Sequence, residues 1–323
     1  MKKMNEKETV AKLLAEHTVK HVFFAACGGS IAAMYPAKYM LEKESKTLTI
    51  HWQNAREFCT AHSAALGKDS VVIVTSQQGN TPETVDAARV AKEAGAAVIA
   101  FSYAEQPPLF EYADYCLDYS YGPDLIPSQK KECRVVRLSM ELLHQLEGWD
   151  KYDDAMESFA MYDAMIEKAK EKCLPEAERF AAGCKDEKLI YTLASGSVWS
   201  SAYIETHCIL MEMQWKNSAC IHCGEFFHGP LEITDKDACF LLMMGTGATR
   251  VMDERMAAFL PRYAEKIYTI DTEALGILEL KESVREFFAP LLATAICGVF
   301  NTHLEAATGH SMKLRRYMWK VQY

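Results

Sequence analysis

Two apolar runs in the first third of the chain end abruptly at glycine and polar residues. Residues 21–26 lead into a segment with helical spacing of apolar residues through Met40, and residues 71–74 lead, past a polar loop, into an Ala-rich helical pattern. Strand, loop and helix in this order, used twice, predict a parallel sheet with a ligand crevice at the carboxyl ends of its strands.

The loop after the second run carries side chains that suit a phosphate. Ser76, Gln77, Gln78 and Thr81 supply hydrogen-bond donors without a full positive charge, and Gly79 lets the backbone approach a ligand closely. The first amides of the following helix lack internal partners and favour an anion. A sugar monophosphate fits this chemistry, although the same residues also suit a simple turn and helix cap.

The loop after the first run adds Gly28, Gly29 and Ser30 as candidate binding residues. The phosphate-type loop carries neither the Gly-Lys-Ser/Thr of a Walker loop nor the G-x-G-x-x-G of a dinucleotide site. The chemistry therefore favours a small phosphorylated ligand over a nucleotide.

The second half of the chain repeats this pattern. Ser30 aligns with Ser197 at an offset of 197 − 30 = 167, and Thr81 aligns with Thr249 at an offset of 249 − 81 = 168. Two matches at nearly one offset predict two copies of one α/β unit, with Ser197 as a candidate binding residue of the second. The second copy lacks the Ser-Gln-Gln donors, so we assign phosphate binding to the first.

Helical apolar spacing at residues 128–147 and 152–182 predicts two helices between the copies, with a boundary near Gly148. The predicted domains are residues 1–150, with the phosphate-binding loop, and residues 151–323. A chain of 323 residues, half of them hydrophobic, is long enough for two domains of ordinary size.

Composition excludes several classes of function. A formal net charge of −9 opposes general nucleic-acid binding, which needs basic surface. The first residues are polar, and no run reaches the ~20 apolar residues of a membrane span. We therefore expect a cytoplasmic protein with neither nucleic acid nor membrane as a partner.

The 11 cysteines are scattered and often lie in apolar runs, which is typical of reduced buried thiols. Cys220 and Cys223 have metal-ligand spacing, but a structural zinc site usually takes two such pairs. The sequence therefore predicts no metal site.

The chain resembles the sugar isomerase (SIS) family over almost its whole length. Cys27-Gly28-Gly29-Ser30 is similar to the family's first loop, and residues 76–81 are similar to its phosphate loop, usually Ser-x-Ser-Gly-x-Thr. Gln78 departs from that pattern by replacing a hydroxyl with an amide. The resemblance implies an α/β fold of two tandem SIS subdomains, each a three-layer αβα unit with a parallel, flavodoxin-like sheet.

A second region resembles the isomerase half of glucosamine-6-phosphate synthase, in which a glutamate at a helix end precedes His-Gly-Pro by the interval found here, 228 − 212 = 16. The segment around His228 and residues 315–321 are more similar to the fructosamine-6-phosphate deglycases, such as fructoselysine-6-phosphate deglycase. The resemblance implies that Glu212 and His228 are catalytic and that Lys320 reaches the sugar site. In isolation, Glu212 and Lys320 also fit solvated charges, and His228 fits a turn residue.

The chemistry of a ketosamine 6-phosphate suits these residues. Hydrogen next to its carbonyl is acidic, and Glu212, partly desolvated by Met211 and Met213, is a suitable base. His228 is the candidate acid for ring opening or for protonating the leaving amine. Rearrangement gives an imine, which water hydrolyses to glucose 6-phosphate and a free amino acid without a metal or organic cofactor.

We therefore expect a deglycase acting on a fructoselysine-6-phosphate, fructose-asparagine-6-phosphate or glucoselysine-6-phosphate type of conjugate. The alternatives are an aldose–ketose isomerase that uses the same base and a phosphosugar sensor without catalysis. Charged residues near predicted strand ends, Arg56, Glu57 and Asp124, are candidates to meet the charged end of the amino acid.

The family also implies a homo-oligomer, in which His228 acts in cis or in trans. Phe226 and Phe227, together with Tyr317, Met318 and Trp319, are expected to form exposed apolar surface that suits a twofold interface.

Overall fold

The structure is a computed structural model that describes residues 4–122 and 125–322. The chain divides into two compact units, one ending at Asp163 and the other beginning at Ala164. Each unit contains its own parallel sheet. The predicted boundary near residue 150 lies at the break between two helices, and it stays a prediction as a domain boundary.

The first unit has a five-stranded parallel sheet in the order β2-β1-β3-β4-β5, the order of flavodoxin-like sheets. The central strands are buried along nearly their whole length, which explains their continuous apolar sequence. The strands are β1 (His21–Ala26), β2 (Thr49–Asn54), β3 (Ser70–Thr75), β4 (Ala97–Phe101) and β5 (Tyr115–Leu117).

Helices of the first unit alternate with these strands, as the sequence pattern predicts. Phe58 and Ala87 lie in one core cluster with Phe23, Val72 and Val98 of the sheet. The helices are α1 (Glu6–Glu16), α2 (Gly28–Glu44), α3 (Ala55–Ala61), α4 (Pro82–Glu93) and α5 (Lys131–Glu147), followed by α6 (Tyr152–Cys184), which continues into the second unit.

The second unit has a four-stranded parallel sheet in the order β7-β6-β8-β9. Its strands are β6 (Leu189–Ala194), β7 (Asn217–His222), β8 (Cys239–Met244) and β9 (Lys266–Asp271). Its helices are α7 (Trp199–Tyr203), a π-helical continuation (Ile204–Met211), α8 (Arg250–Phe259) and α9 (Arg285–Thr308).

The second sheet repeats the order of the first four strands of the first sheet. β6 begins 189 − 21 = 168 residues after β1, and β7 begins 217 − 49 = 168 residues after β2. Gly28 and Gly196 follow β1 and β6 with left-handed φ values of 53° and 54°. The two sheets therefore share strand order and spacing, and Gly28 corresponds to Gly196, one residue off the alignment of Ser30 with Ser197. That the chain consists of two tandem copies stays a prediction.

Helix α9 is long and apolar enough to span a membrane by length and composition, and 72% of its apolar window is buried inside the structure. This helix does not stand out in the sequence as a long apolar run, because Asn301 and Thr302 interrupt it. Such burial is typical of a core helix.

The expected exposure of apolar residues is only partly correct. Phe226 is fully buried and lies against Phe240 and Phe259, so the prediction is wrong for this residue. Tyr317 and Trp319 are 64% and 78% exposed, as expected. The difference arises because Phe226 turns into the core directly after β7, whereas the tail residues extend beyond α9.

Candidate active site

The loop between β3 and α4 is closed by hydroxyl groups. Ser76 Oγ and Thr81 Oγ1 are 2.9 Å apart, and the Thr81 amide donates to Ser76 Oγ at 3.4 Å. Gly79 has a φ of 66°, and a Cβ there would lie 2.3 Å from the Cβ of Pro107. Glycine is therefore required for this loop to approach the neighbouring chain.

The tip of this loop offers donors to a ligand. The carbonyl of Gln77 accepts from the Tyr103 amide and from Ser102 Oγ, which fixes the backbone. The side chains of Gln77 and Gln78 are exposed, and within residues 4–122 and 125–322 the amides of Gln78 and Asn80 donate to no protein group. These groups are available to an anion, and phosphate binding at this loop stays a prediction.

The loop after β1 leads directly into α2. Cys27 is the N-cap without a side-chain cap bond, and the Ser30 amide donates to its carbonyl at 3.1 Å. In the described part of the chain, the amides of Gly28 and Gly29 have no acceptor. Because β1 and β3 are parallel neighbours, both candidate loops leave the same edge of the first sheet.

A cavity of about 440 Å³ in the first unit connects this edge to Lys131. Lys131 donates to Ser30 Oγ at 3.1 Å, and its Nζ lies 5.8 Å from the ring centroid of Tyr119. The cavity is lined by Gln77, Tyr119, Ser120, Tyr121, Gly122, Leu125, Lys130, Lys131 and Glu132. Lys131 was not among the residues predicted from sequence. Two lysines at the start of α5 interact unfavourably with the helix dipole, which indicates a role other than capping.

In the second unit, Glu212 follows the π-helical segment and lines a cavity of about 400 Å³. π-Helical turns occur frequently at functional sites. The Glu212 carboxylate accepts from Arg315, at 2.9 Å from Nε and 2.8 Å from the second terminal nitrogen. Burial raises the pKa of Glu212, and the Arg315 guanidinium opposes that rise. A carboxylate whose pKa lies above its usual value is a stronger base than an unperturbed one.

Arg315 was not among the residues predicted for the site. The structure buries its side chain to 8% exposure and attaches it to Glu212. Its remaining terminal nitrogen donates to the carbonyls of Met312 and Leu314, which orders the tail around the ion pair. No sequence signal could have identified this contact, because the partners are 103 residues apart.

His228 lies in an exposed turn, where its amide donates to the Glu225 carbonyl at 3.0 Å. Its imidazole makes no hydrogen bond to any described residue, so the structure does not join it to Glu212. Glu225, three residues before His228, is exposed as well.

Two other predicted binding residues lie in the second unit. Ser197 is 1% exposed, and its Oγ has no partner among the described residues. Lys320 Nζ donates to the carbonyl of Arg315 at 2.5 Å and so lies beside the residue that holds Glu212.

Arg56 and Glu57 are exposed in the first turn of α3, whereas Asp124 lies outside the described residues. Burial raises the pKa of the Cys220 thiol to about 11 and also raises that of Cys223. Within the described ranges, no group of three or more His, Cys, Asp or Glu side chains is arranged to hold a metal ion.

The comparisons with known proteins agree with this architecture. The SIS domain model matches residues 17–146. Fructosamine deglycase FrlB of Bacillus subtilis (strain 168) is 38% identical over 95% of this chain and 93% of its own length. The chain therefore belongs to the SIS domain family, and the family inferred from the motifs is confirmed.

Two further proteins show how far the similarity extends. Fructoselysine 6-phosphate deglycase of Escherichia coli O157:H7 is 25% identical, with 96% of this chain and 88% of that protein covered. The crystal structure of a candidate phosphosugar isomerase from Salmonella typhimurium LT2 matches with a TM-score of 0.97 and 42% identity, covering 99% of this chain and 96% of the other. The similarity thus includes both units and both candidate loops.

Proposed function

We propose that this protein is a deglycase that cleaves a 6-phosphorylated sugar–amino-acid conjugate into glucose 6-phosphate and a free amino acid. The observation that carries the proposal is Glu212, a carboxylate with a raised pKa in a cavity, held by one arginine. Similarity along the whole chain to proteins named as deglycases supports this choice of reaction.

The proposed fold consists of two tandem SIS subdomains, each a three-layer αβα unit. We assign the phosphate to the loops of the first unit, and Lys131 extends the set predicted from sequence. Ser197 and Lys320 are the proposed substrate contacts of the second unit. The proposed phosphate-binding residues are Gly28, Gly29, Ser30, Ser76, Gln77, Gln78 and Thr81.

In the proposed reaction of a 1-amino-2-ketose, Glu212 removes a proton from C1, the electron pair forms the C1–C2 double bond, and the C2 carbonyl oxygen takes up a proton, which gives an enaminol. Protonation at C2 then gives an imine between C1 and nitrogen. Water adds to C1, the C–N bond breaks, and the amine leaves with a proton supplied by His228 of the same or a partner subunit. These steps move only protons and water, so the proposed reaction includes no redox step.

A coupled assay for glucose 6-phosphate tests the proposal. The substrates are 6-phosphorylated fructoselysine, fructose-asparagine and glucoselysine, with fructose 6-phosphate as the isomerase control. Glucose 6-phosphate and free amino acid in equal amounts from one conjugate would support the deglycase. Turnover of fructose 6-phosphate alone would support the isomerase, which uses the same base and matches the description of the Salmonella structure. Thermal stabilisation by phosphosugar without any turnover would indicate a sensor.

Substitution of Arg315 by glutamine should shift the pH dependence of catalysis. The Arg315 charge lowers the pKa of Glu212 against the effect of burial, so its loss should raise that pKa further. The acid limb of the kcat/KM profile should therefore move to higher pH, with activity partly regained under alkaline conditions. Arg315→Lys keeps the charge and should shift the limb less. An unchanged profile in a folded Arg315→Gln variant would contradict this role.

We also propose that the protein is a cytoplasmic homo-oligomer. Its 11 cysteines are all free thiols in the structure, which fits a reducing compartment. The exposed Tyr317 and Trp319 offer apolar area for a subunit interface. Light scattering of the purified protein would measure the number of subunits directly.

A further inference from the structure

The cavity beside Glu212 is lined by three basic side chains, Lys216, Arg315 and Arg316, which differ in how many hydrogen bonds they make. Arg315 is bound to Glu212, and Lys216 donates to the carbonyls of Lys185 and Glu187 at 2.8 and 3.0 Å. Arg316 lines the same cavity and is exposed. In the described part of the chain, its guanidinium makes neither an ion pair nor a hydrogen bond.

Arg316 is nevertheless held in position. Its Cζ lies 4.5 Å from the ring centroid of Trp215, and the ring of His310 lies 4.5 Å from that indole in a T-shaped arrangement. A guanidinium stacked on an aromatic face keeps its edge donors available for a planar anion.

The backbone around this stack is unusual. Trp215 has a φ of 54° and Trp319 has a φ of 63°, the only positive values among non-glycine residues of the described chain. Trp215 lines the cavity, and the ring of Trp319 lies 5.4 Å from the Arg315 guanidinium. Bulky residues rarely adopt this conformation, and strained backbone is concentrated at functional sites.

We propose that Arg316, supported by Trp215, binds the carboxylate of the amino-acid part of the substrate. This assignment rests on the proposed deglycase function, because only a conjugate brings an amino acid to the base. A carboxylate matches the fork of a guanidinium in two parallel hydrogen bonds. Because the phosphate is assigned to the loops of the first unit, Arg316 is available for the amino acid that is released. It would therefore distinguish conjugates by their amino-acid part.

The test compares Arg316→Ala with the wild type on matched pairs of substrates. Each pair has the same 6-phosphorylated ketose and differs only in the carboxylate: lysine against cadaverine, and asparagine against 3-aminopropanamide. Loss of the charge-assisted contact should raise KM for the amino-acid conjugate about tenfold at an exposed site. KM for the decarboxylated substrate should stay within about twofold of the wild-type value, because that substrate has no carboxylate to lose a hydrogen bond. The kcat for both substrates should also stay within about twofold.

Two controls complete the design. Arg316→Lys keeps the positive charge without the forked guanidinium and should recover part of the lost affinity. Arg262→Ala removes an exposed arginine elsewhere in the same unit and should change KM for neither substrate. Thermal melting verifies that each variant is folded.

The outcomes separate this inference from the function it rests on. If the wild type releases amine from no conjugate, the deglycase proposal fails, and the assignment of Arg316 fails with it. If the wild type is active and Arg316→Ala weakens both members of a pair equally, Arg316 binds the shared phosphosugar and the carboxylate assignment is overturned. An unchanged KM for every conjugate overturns it as well.

Discussion

Replacement of Glu212 by glutamine is expected to lower kcat for amine release by about 100- to 10,000-fold, the range that a positioned general base contributes. The amide keeps the size of the side chain but cannot accept the proton. Substrate binding through the loops of the first unit should persist, so KM should change far less than kcat. Steady-state assays with the conjugate identified in the substrate panel measure both constants.

The substitution also leaves Arg315 without its carboxylate, so folding needs a separate check. Thermal melting distinguishes a folded, inactive variant from an unfolded one. Glu178→Gln removes an exposed carboxylate from α6 and serves as the matched control. Full turnover by a folded Glu212→Gln variant would mean that another group is the base.

Replacement of Glu205 by glutamine is expected to change the pH dependence of stability. Glu205 lies in the π-helical segment with 0% exposure; its Oε2 accepts from Asn301 Nδ2 at 3.0 Å, and its Oε1 has no partner among the described residues. Burial raises the pKa of Glu205 from 4.5 to about 7. The protonated, neutral carboxyl is therefore the form that the folded protein favours.

The sign of the effect follows from linkage. Because the folded protein holds this proton more tightly than the unfolded chain, its stabilising contribution is complete below pH 4.5 and is lost as pH rises through about 7. Glutamine stays neutral at every pH. Relative to wild type, the free energy of unfolding of Glu205→Gln should therefore be higher above pH 7, by up to about 3 kcal/mol.

Urea unfolding at pH 5, 7 and 8.5 measures this difference. The gap between Glu205→Gln and wild type should widen with pH, whereas Glu178→Gln should follow the wild type throughout. Parallel stability curves for Glu205→Gln and wild type would contradict a raised pKa for Glu205. They would mean that the carboxylate is ionised in the folded protein or is solvated by water there.

Several features of the fold could be predicted because local sequence fixes them. Strands buried on both faces have continuous apolar sequence, which identified β1 and β3. Gly79 and Gly28 marked the two loops because their backbone conformations are costly for other residues. These loops, together with the interval between Glu212 and His228, indicated the family, which the similarity to other chains confirms.

Other features depend on contacts between distant segments. Lys131 meets Ser30 across 101 residues, and neither position carries a local signal of the other. Phe226 had the sequence context of a surface residue, yet the cluster with Phe240 and Phe259 buries it. The one-residue shift in the internal alignment also required the backbone angles of Gly28 and Gly196.

The sequence by itself determined the alternation of strands and helices, the two glycine loops and the position of the candidate base. Only the tertiary structure decided what surrounds that base: Arg315 bound to Glu212, and Arg316 stacked on Trp215 at the same cavity. The physical reason is that backbone conformation and burial pattern follow from neighbouring residues, whereas the charge state and partners of a side chain depend on which distant residues fold against it.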